Sequence, residues 1–232
     1  MSPFPSQKFL LIQQLLDDHF GSLHWWPADS PFEVVVGAVL TQNTAWTNVE
    51  RAIHNLKQAE VLSPEDMAVL PVKRLEDLIR PSGFYHQKAA RLQYLASHLL
   101  DGWQGNLAHL CDGPLNDARE RLLALPGVGP ETADSILLYA AGRPSFVVDA
   151  YTRRIFERIG ILKGRESYDE IRQLFMQNLP EDAKLYNEYH AQIVQLAKTC
   201  CRKTKTLCSD CPLNRDCRFA RPKDVRVPRA YS

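Results

Sequence analysis

Five of the chain's six cysteines fall within eighteen residues, CCRKTKTLCSDCPLNRDC at 200–217. Cys201, Cys208, Cys211 and Cys217 follow the spacing C-x6-C-x2-C-x5-C. Four thiolates in so short a span can surround one metal centre. A zinc ribbon uses two C-x2-C knuckles separated by a longer loop. Here one knuckle carries a single further ligand on either side, which suits an iron–sulfur cube better. Substituting Cys200 for Cys201 would lengthen the first spacing to x7, so Cys200 is set aside as a non-ligand. Cys111, remote in sequence, reads as a buried core thiol.

Three further groups could do chemistry. The stretch LLALPGVGPETA at 122–133 reads as a helix ending at Leu125, a tight turn, and a second helix starting near Pro130. Gly127 and Gly129 permit positive φ and close backbone approach. Amides at such a helix start suit a phosphate and carry no sequence information. In GRPSFVVDAYTRRIF, Asp149 follows an apolar run and opens the next helix. Its residue type fits an N-cap, and equally a carboxylate that activates water or stabilises a cation. Trp25, Trp26 and Pro27 are adjacent, and Trp46 follows twenty residues after Trp26. These either pack in a helical domain or wall a site for a planar ring.

The elements that must position these residues are helical by period. Segments such as QKFLLIQQLLDDHF, QKAARLQYLASHLLDGW and EYHAQIVQLAKTCC place apolar residues at helical spacing. Val34–Val36 would suit a buried strand, but no partner strand is evident. The expectation is an all-α protein of about ten helices. At 232 residues with 45% hydrophobic and 24% charged content, it has the make-up of a soluble globular chain. No apolar run reaches the roughly 20 residues that span a bilayer, so no membrane partner is expected. The N-terminus reads as an amphipathic helix, not a signal peptide, and a cytosolic, reducing setting is expected. The net charge of +1 hides an asymmetry: residues 202–232 hold nine Lys or Arg against three Asp. A basic C-terminal segment suits an anionic partner, or is simply a solvated tail. The closing RPKDVRVPRAYS is Pro- and Arg-rich and is expected to be loosely ordered.

The cysteine spacing at the end of an all-α chain, the LPGVG turn, and Asp149 eighteen residues after Glu131 together resemble the endonuclease III (HhH-GPD) superfamily of DNA glycosylases. The resemblance covers nearly the whole chain. It implies two helical domains with the DNA groove between them. Residues 28–133 would form the central six-helix barrel-like domain, and 1–27 with 134–232 the iron–sulfur domain. The helix–hairpin–helix would span about 116–141. It implies a [4Fe–4S] cluster on Cys201, Cys208, Cys211 and Cys217 that orders a loop presenting Arg202, Lys203 and Lys205 to DNA phosphates, with Arg215 and Arg218 as further candidates. It implies Asp149 as the catalytic carboxylate, Phe84 of RPSGFY as a wedge entering the DNA stack, and Gln42 of LTQNT as the plug filling the gap left by a flipped nucleotide.

Within the superfamily, FEVVVGAVLTQNT, the Trp pair and RPSGFYHQKAARL most resemble the 3-methyladenine DNA glycosylase III branch. That implies a base pocket from Trp25 and Trp46, with Trp26 and Pro27 beside them. A base charged by N-alkylation gains about 0.5–2 kcal/mol on an aromatic face. The implied partner is double-stranded DNA containing damaged bases, acted on by a monomer in base excision repair. One departure matters. Bifunctional members place a lysine where this chain has Glu131, and a carboxylate cannot form a Schiff base. A monofunctional glycosylase without efficient lyase activity is therefore expected. Two rivals remain: an endonuclease III-like enzyme for oxidised pyrimidines, and a non-catalytic DNA-binding module. An adenine-excising relative would place Glu where Ala38 stands.

Overall fold

The computed structural model describes residues 5–23, 25, 26 and 28–220. Pro27 and the Pro- and Arg-rich stretch 221–232 lie outside the described residues. Among the described residues there is no strand. The helices are α1 (Pro5–Phe20), α2 (Pro31–Leu40), α3 (Trp46–Gln58), α4 (Pro64–Val69), α5 (Val72–Ile79), α6 (Tyr85–Trp103), α7 (Leu107–Leu110), α8 (Leu115–Leu123), α9 (Pro130–Ser135), α10 (Ala150–Ile159), α11 (Tyr168–Asn178) and α12 (Ala183–Thr199). The chain is all-α, as its periodicity requires. No helix among the described residues is long and apolar enough to cross a membrane.

The chain forms two compact units. One comprises Trp26–Ser145, the other Met1–Trp25 with Phe146–Ser232. In the first unit, α2 is buried over nine of its ten residues, Phe32–Leu40. That explains its lack of an apolar stripe: a helix enclosed on all sides is apolar on all sides. Its three consecutive valines fit a strand equally by residue type. The helix is set by Ser30, whose hydroxyl accepts from the Glu33 N–H at 3.2 Å, and by Pro31 in the first turn. Thr41 Oγ1 closes the far end on Gly37 O at 2.7 Å.

The hairpin helices α8 and α9 are joined by a buried ion pair. Arg119 Nε and Nη2 donate to the Asp134 carboxylate at 3.0 and 3.1 Å, and Ser145 Oγ donates to it at 2.5 Å. Beyond α9 the chain continues as a π-helical turn, Ile136–Ala140. Ala133, Ile136 and Leu137 belong to the same core as α2 and α6. The unit therefore extends past residue 133 to Ser145, because these side chains have their apolar neighbours there.

The other unit joins sequence-remote helices through aromatic packing. Phe9 of α1 lies 5.6 Å from Phe156 and 4.9 Å from Phe175, and Phe146 stacks on Phe175 at 4.0 Å. Tyr189 donates to Phe9 O at 3.2 Å. Gln192 Nε2 reaches both Asp17 and Gly21 O at 2.9 Å, fixing the end of α1 on α12.

Candidate active site and nucleic-acid interface

Asp149 caps α10. Its Oδ1 accepts from the Thr152 N–H at 2.7 Å and from the Thr152 hydroxyl at 3.0 Å. Its Oδ2 faces His190 Nε2 of α12 at 3.6 Å, with the two side chains only 14% and 7% exposed. Burial alone would push the carboxyl's pKa up. His190 and the Thr152 donors outweigh burial and hold it below the ordinary carboxylate value. The result is an enclosed anion with one oxygen fixed by the helix start and the other beside an imidazole. Such a group can orient a water and stabilise a cation. His190 was not expected from sequence. It sits among the apolar residues of α12, where nothing in its local pattern separates it from a packed core histidine.

In the first unit, the hairpin turn follows Leu125. Gly127 has φ +77° and a Cβ there would collide with the Arg91 guanidinium, so glycine is required. Gly129 does not use the positive φ open to it: its φ is −92° with extended ψ, and nothing beyond its chain neighbours lies within 4 Å of where a Cβ would stand. Its contribution is open space beside the turn. Glu131 is exposed in the first turn of α9, where a negative charge complements the helix start.

Two further turns lie in this unit. Phe84 is 62% exposed and sits in the left-handed region at φ 47°, immediately after Gly83 at φ 66°. A bulky residue there is held by its surroundings, not by preference. Gln42 is half-buried, and its amide is engaged inside the unit. Nε2 donates to Gly127 O and Thr132 Oγ1, both at 3.0 Å, and Oε1 accepts from Arg91 Nη1 at 2.8 Å. The exposed tip of this turn is its neighbour Asn43, at φ 56°.

The same unit holds a cavity of about 220 Å³ lined by Trp26, Glu33, Gly37, Trp46, Glu50 and Lys57, among others. Trp26 meets Trp46 edge-on at 5.3 Å and leans on Tyr139 of the π-helical turn at 5.0 Å. Gly37 leaves room for the Trp26 indole, which would stand 3.1 Å from a Cβ. Trp46 Nε1 donates to Glu50 at 2.8 Å. Lys57 binds Asp29 and Glu33 at 2.8 and 2.7 Å, and hydrogen bonds to these two carboxylates raise its pKa. Two lining carboxylates, Glu33 and Glu50, thus stand against one lysine beside an aromatic wall, and the exposed Asp29 binds that lysine from outside the lining. The structure pairs Trp46 with Trp26. Trp25 belongs to the other unit, where the Lys198 ammonium lies 5.2 Å from its ring.

After α12, the four spaced cysteines lie on a loop built from two short 3₁₀ turns, Cys208–Asp210 and Asn214–Asp216. Burial pushes the Cys211 thiol up to about 11, and the nearby Cys200, Cys201 and Cys217 act in the same direction. Arg158 of α10 secures both ends of the loop. Its Nη1 donates to Cys201 Sγ at 3.2 Å and to Arg202 O at 2.7 Å, and its carbonyl accepts from the Phe219 N–H at 3.0 Å. Arg154 Nε adds a bond to Cys201 O at 3.1 Å. Arg202, Lys203 and Lys205 are exposed on this loop, as are Arg215 and Arg218. Among the described residues, no three His, Cys, Asp or Glu side chains close around one point suited to a single ion.

Comparison with known proteins places this geometry. Residues 36–181 match the family model described as HhH-GPD superfamily base excision DNA repair protein. A candidate DNA repair glycosylase of Methanocaldococcus jannaschii is 48% identical over 208 residues, 89% of this chain and 94% of that protein. The structure of a trapped endonuclease III–DNA covalent intermediate superposes with TM-score 0.81 at 26% identity, over 94% of this chain and 97% of that one. The Helicobacter pylori 3-methyladenine DNA glycosylase bound to 1,N6-ethenoadenine superposes with TM-score 0.72 at 32% identity, over 83% and 97%. The chain therefore belongs to the HhH-GPD superfamily of base excision DNA repair proteins, as a DNA glycosylase of the endonuclease III-like kind.

Proposed function

We propose that the chain is a monofunctional glycosylase that releases N-alkylated, positively charged purines such as 3-methyladenine from duplex DNA. The observation that carries this reading is the charge of the aromatic cavity. Glu33 and Glu50 outnumber Lys57 in the lining beside Trp26 and Trp46. DNA is a polyanion, so a protein gains nothing in phosphate affinity from such a pocket. A cationic base gains from both the carboxylates and the indole faces. The similarity to the Helicobacter pylori 3-methyladenine glycosylase supports the same substrate class.

The reaction asks little of the protein. The glycosidic bond breaks with its electron pair passing to the base, which leaves neutral. A positive charge develops on the sugar. Asp149, anionic and fixed by Thr152, stabilises that charge and takes a proton from the water that adds to the sugar carbon. The position at which a lyase-competent relative carries lysine holds Glu131, and no amine attacks. Phe84 enters the base stack, and the turn that carries Gln42 and the exposed Asn43 fills the vacated space.

Cys201, Cys208, Cys211 and Cys217 would hold a [4Fe–4S] cluster. The donor chemistry fits, since each iron of such a cluster takes one thiolate. Burial raises the Cys211 thiol, and a bound cation would favour its thiolate. When bound, the cluster supplies rigidity to the loop. Arg202, Lys203 and Lys205 then meet DNA phosphates irrespective of sequence. The test is base release at enzyme excess from duplexes carrying 3-methyladenine, 7-methylguanine, hypoxanthine or thymine glycol. Release of the cationic bases over the neutral ones is expected. Preferential release of thymine glycol would favour the oxidised-pyrimidine reading instead.

A further inference from the structure

Lys88 is a buried cation that the reaction does not use. It sits one turn into α6 and is 1% exposed. Its ammonium donates to Leu40 O and to Ser82 O, both at 2.8 Å. Burial, with Arg91 nearby, lowers its pKa to about 8. A lysine with so low a value is often a nucleophile, but enclosure keeps this ammonium from any substrate. Burying a charge is costly unless it has partners, and here both partners are backbone carbonyls at informative places. Leu40 ends α2, two residues before Gln42 and three before the exposed Asn43. Ser82 lies two residues before Phe84, and Gly83 and Phe84 both adopt positive φ. One side chain thus ties together the bases of two turns.

Arg91 lies three residues further along α6, on the same face. Its Nη1 donates to Gln42 Oε1 at 2.8 Å, and Gln42 Nε2 donates in turn to Gly127 O in the hairpin. The guanidinium also lies where a Cβ on Gly127 would be. A third turn is thereby joined to the other two. All three belong to the unit Trp26–Ser145.

We propose that Lys88, assisted by Arg91, is a positioning residue that fixes the relative placement of the three turns through which this protein enters and grips the duplex. This rests on the glycosylase reading above. The strained Phe84 turn needs an external hold, and charge-assisted hydrogen bonds are the stronger kind. Lys88 contributes to opening the base stack and takes no part in breaking the glycosidic bond.

Two measurements separate these roles. The first uses a duplex with 2-aminopurine beside a tetrahydrofuran abasic analogue, which reports unstacking without any excision. Lys88→Met and Arg91→Met are expected to lower the fluorescence rise at saturation while fluorescence anisotropy shows affinity held within about threefold. The second compares release of 3-methyladenine from a fully paired duplex and from an unpaired bubble. Release from paired DNA is expected to fall about 10–100-fold, the cost of a misplaced contact, with a much smaller loss in the bubble. If a folded Lys88→Met protein opens the stack like wild type, or loses both substrates equally, the proposal is wrong. If Lys88→Met does not fold, Arg91→Met decides by the same two outcomes. Wild-type protein that opens the stack but releases no base would overturn the glycosylase reading and leave this one standing.

Discussion

Asp149 Oδ2 and His190 Nε2 face each other at 3.6 Å across the start of α10, both nearly enclosed. The histidine, with Thr152, keeps an enclosed carboxylate ionised against the pull of burial. Replacing His190 by Gln removes that support. The carboxyl's pKa then rises, and the acid limb of the single-turnover pH profile moves to higher pH. A profile unchanged in position would exclude this role for His190.

The same pair bears on stability. Asp149 has a depressed pKa in the folded protein. Its contribution is therefore present above the unfolded aspartate value of about 3.9 and is lost as pH falls through the lower folded value. Asp149→Asn should flatten that part of the stability–pH curve, as read by denaturant melts between neutral pH and the acid transition. Curves for the two proteins that run parallel through this window would contradict the linkage.

Phe175 touches Phe9, Phe146 and Phe156 within 5 Å between centroids. It is the common contact of α1, α10 and the segment before α10. Phe175→Ala should cost about 3–5 kcal/mol, measured by urea denaturation. A loss under 1 kcal/mol would show that α1 is held elsewhere.

Trp46 and Glu50 address selectivity. Trp46→Ala removes an aromatic face worth about 0.5–2 kcal/mol toward a cation, which corresponds to a few-fold to about 30-fold in release of 3-methyladenine. Glu50→Gln keeps the shape and removes charge, so it should slow cationic bases more than hypoxanthine. Equal slowing of both would separate the cavity from the charged base.

Much of this arrangement was legible in the residues. The cysteine spacing, the LPGVG turn and the distance from Glu131 to Asp149 are local patterns, and local patterns survive in one dimension. What was not legible depends on partners far away in sequence. His190 stands forty-one residues after Asp149 and looks like any apolar-face histidine. Gln42 is expected as a plug by resemblance, and only the folded chain shows its amide bonded to Arg91 and the hairpin. Val34–Val36 suited a strand by residue type, and only their enclosure within the core explains a helix without a stripe. Trp25 and Trp26 are neighbours in the chain, yet a unit boundary runs between them.

The cysteine loop offers a further check. With the proposed cluster in place, Cys208→Ser should abolish bound iron and the brown absorbance. Lys203→Ala should weaken binding to all duplexes alike and reduce the salt slope by about one. Full iron content in Cys208→Ser would remove that residue from the ligand set.

On the proposed function, Asp149 drives hydrolytic release of a cationic purine without a covalent enzyme–DNA step. The most direct measurement is single-turnover release of 3-methyladenine by wild type and Asp149→Asn at enzyme excess, with borohydride present in a parallel reaction. Release by wild type is expected, with a loss of about 10²–10⁴-fold in the variant and no trapped adduct. Release unaffected by Asp149→Asn, or a borohydride-trapped wild-type complex, would contradict it.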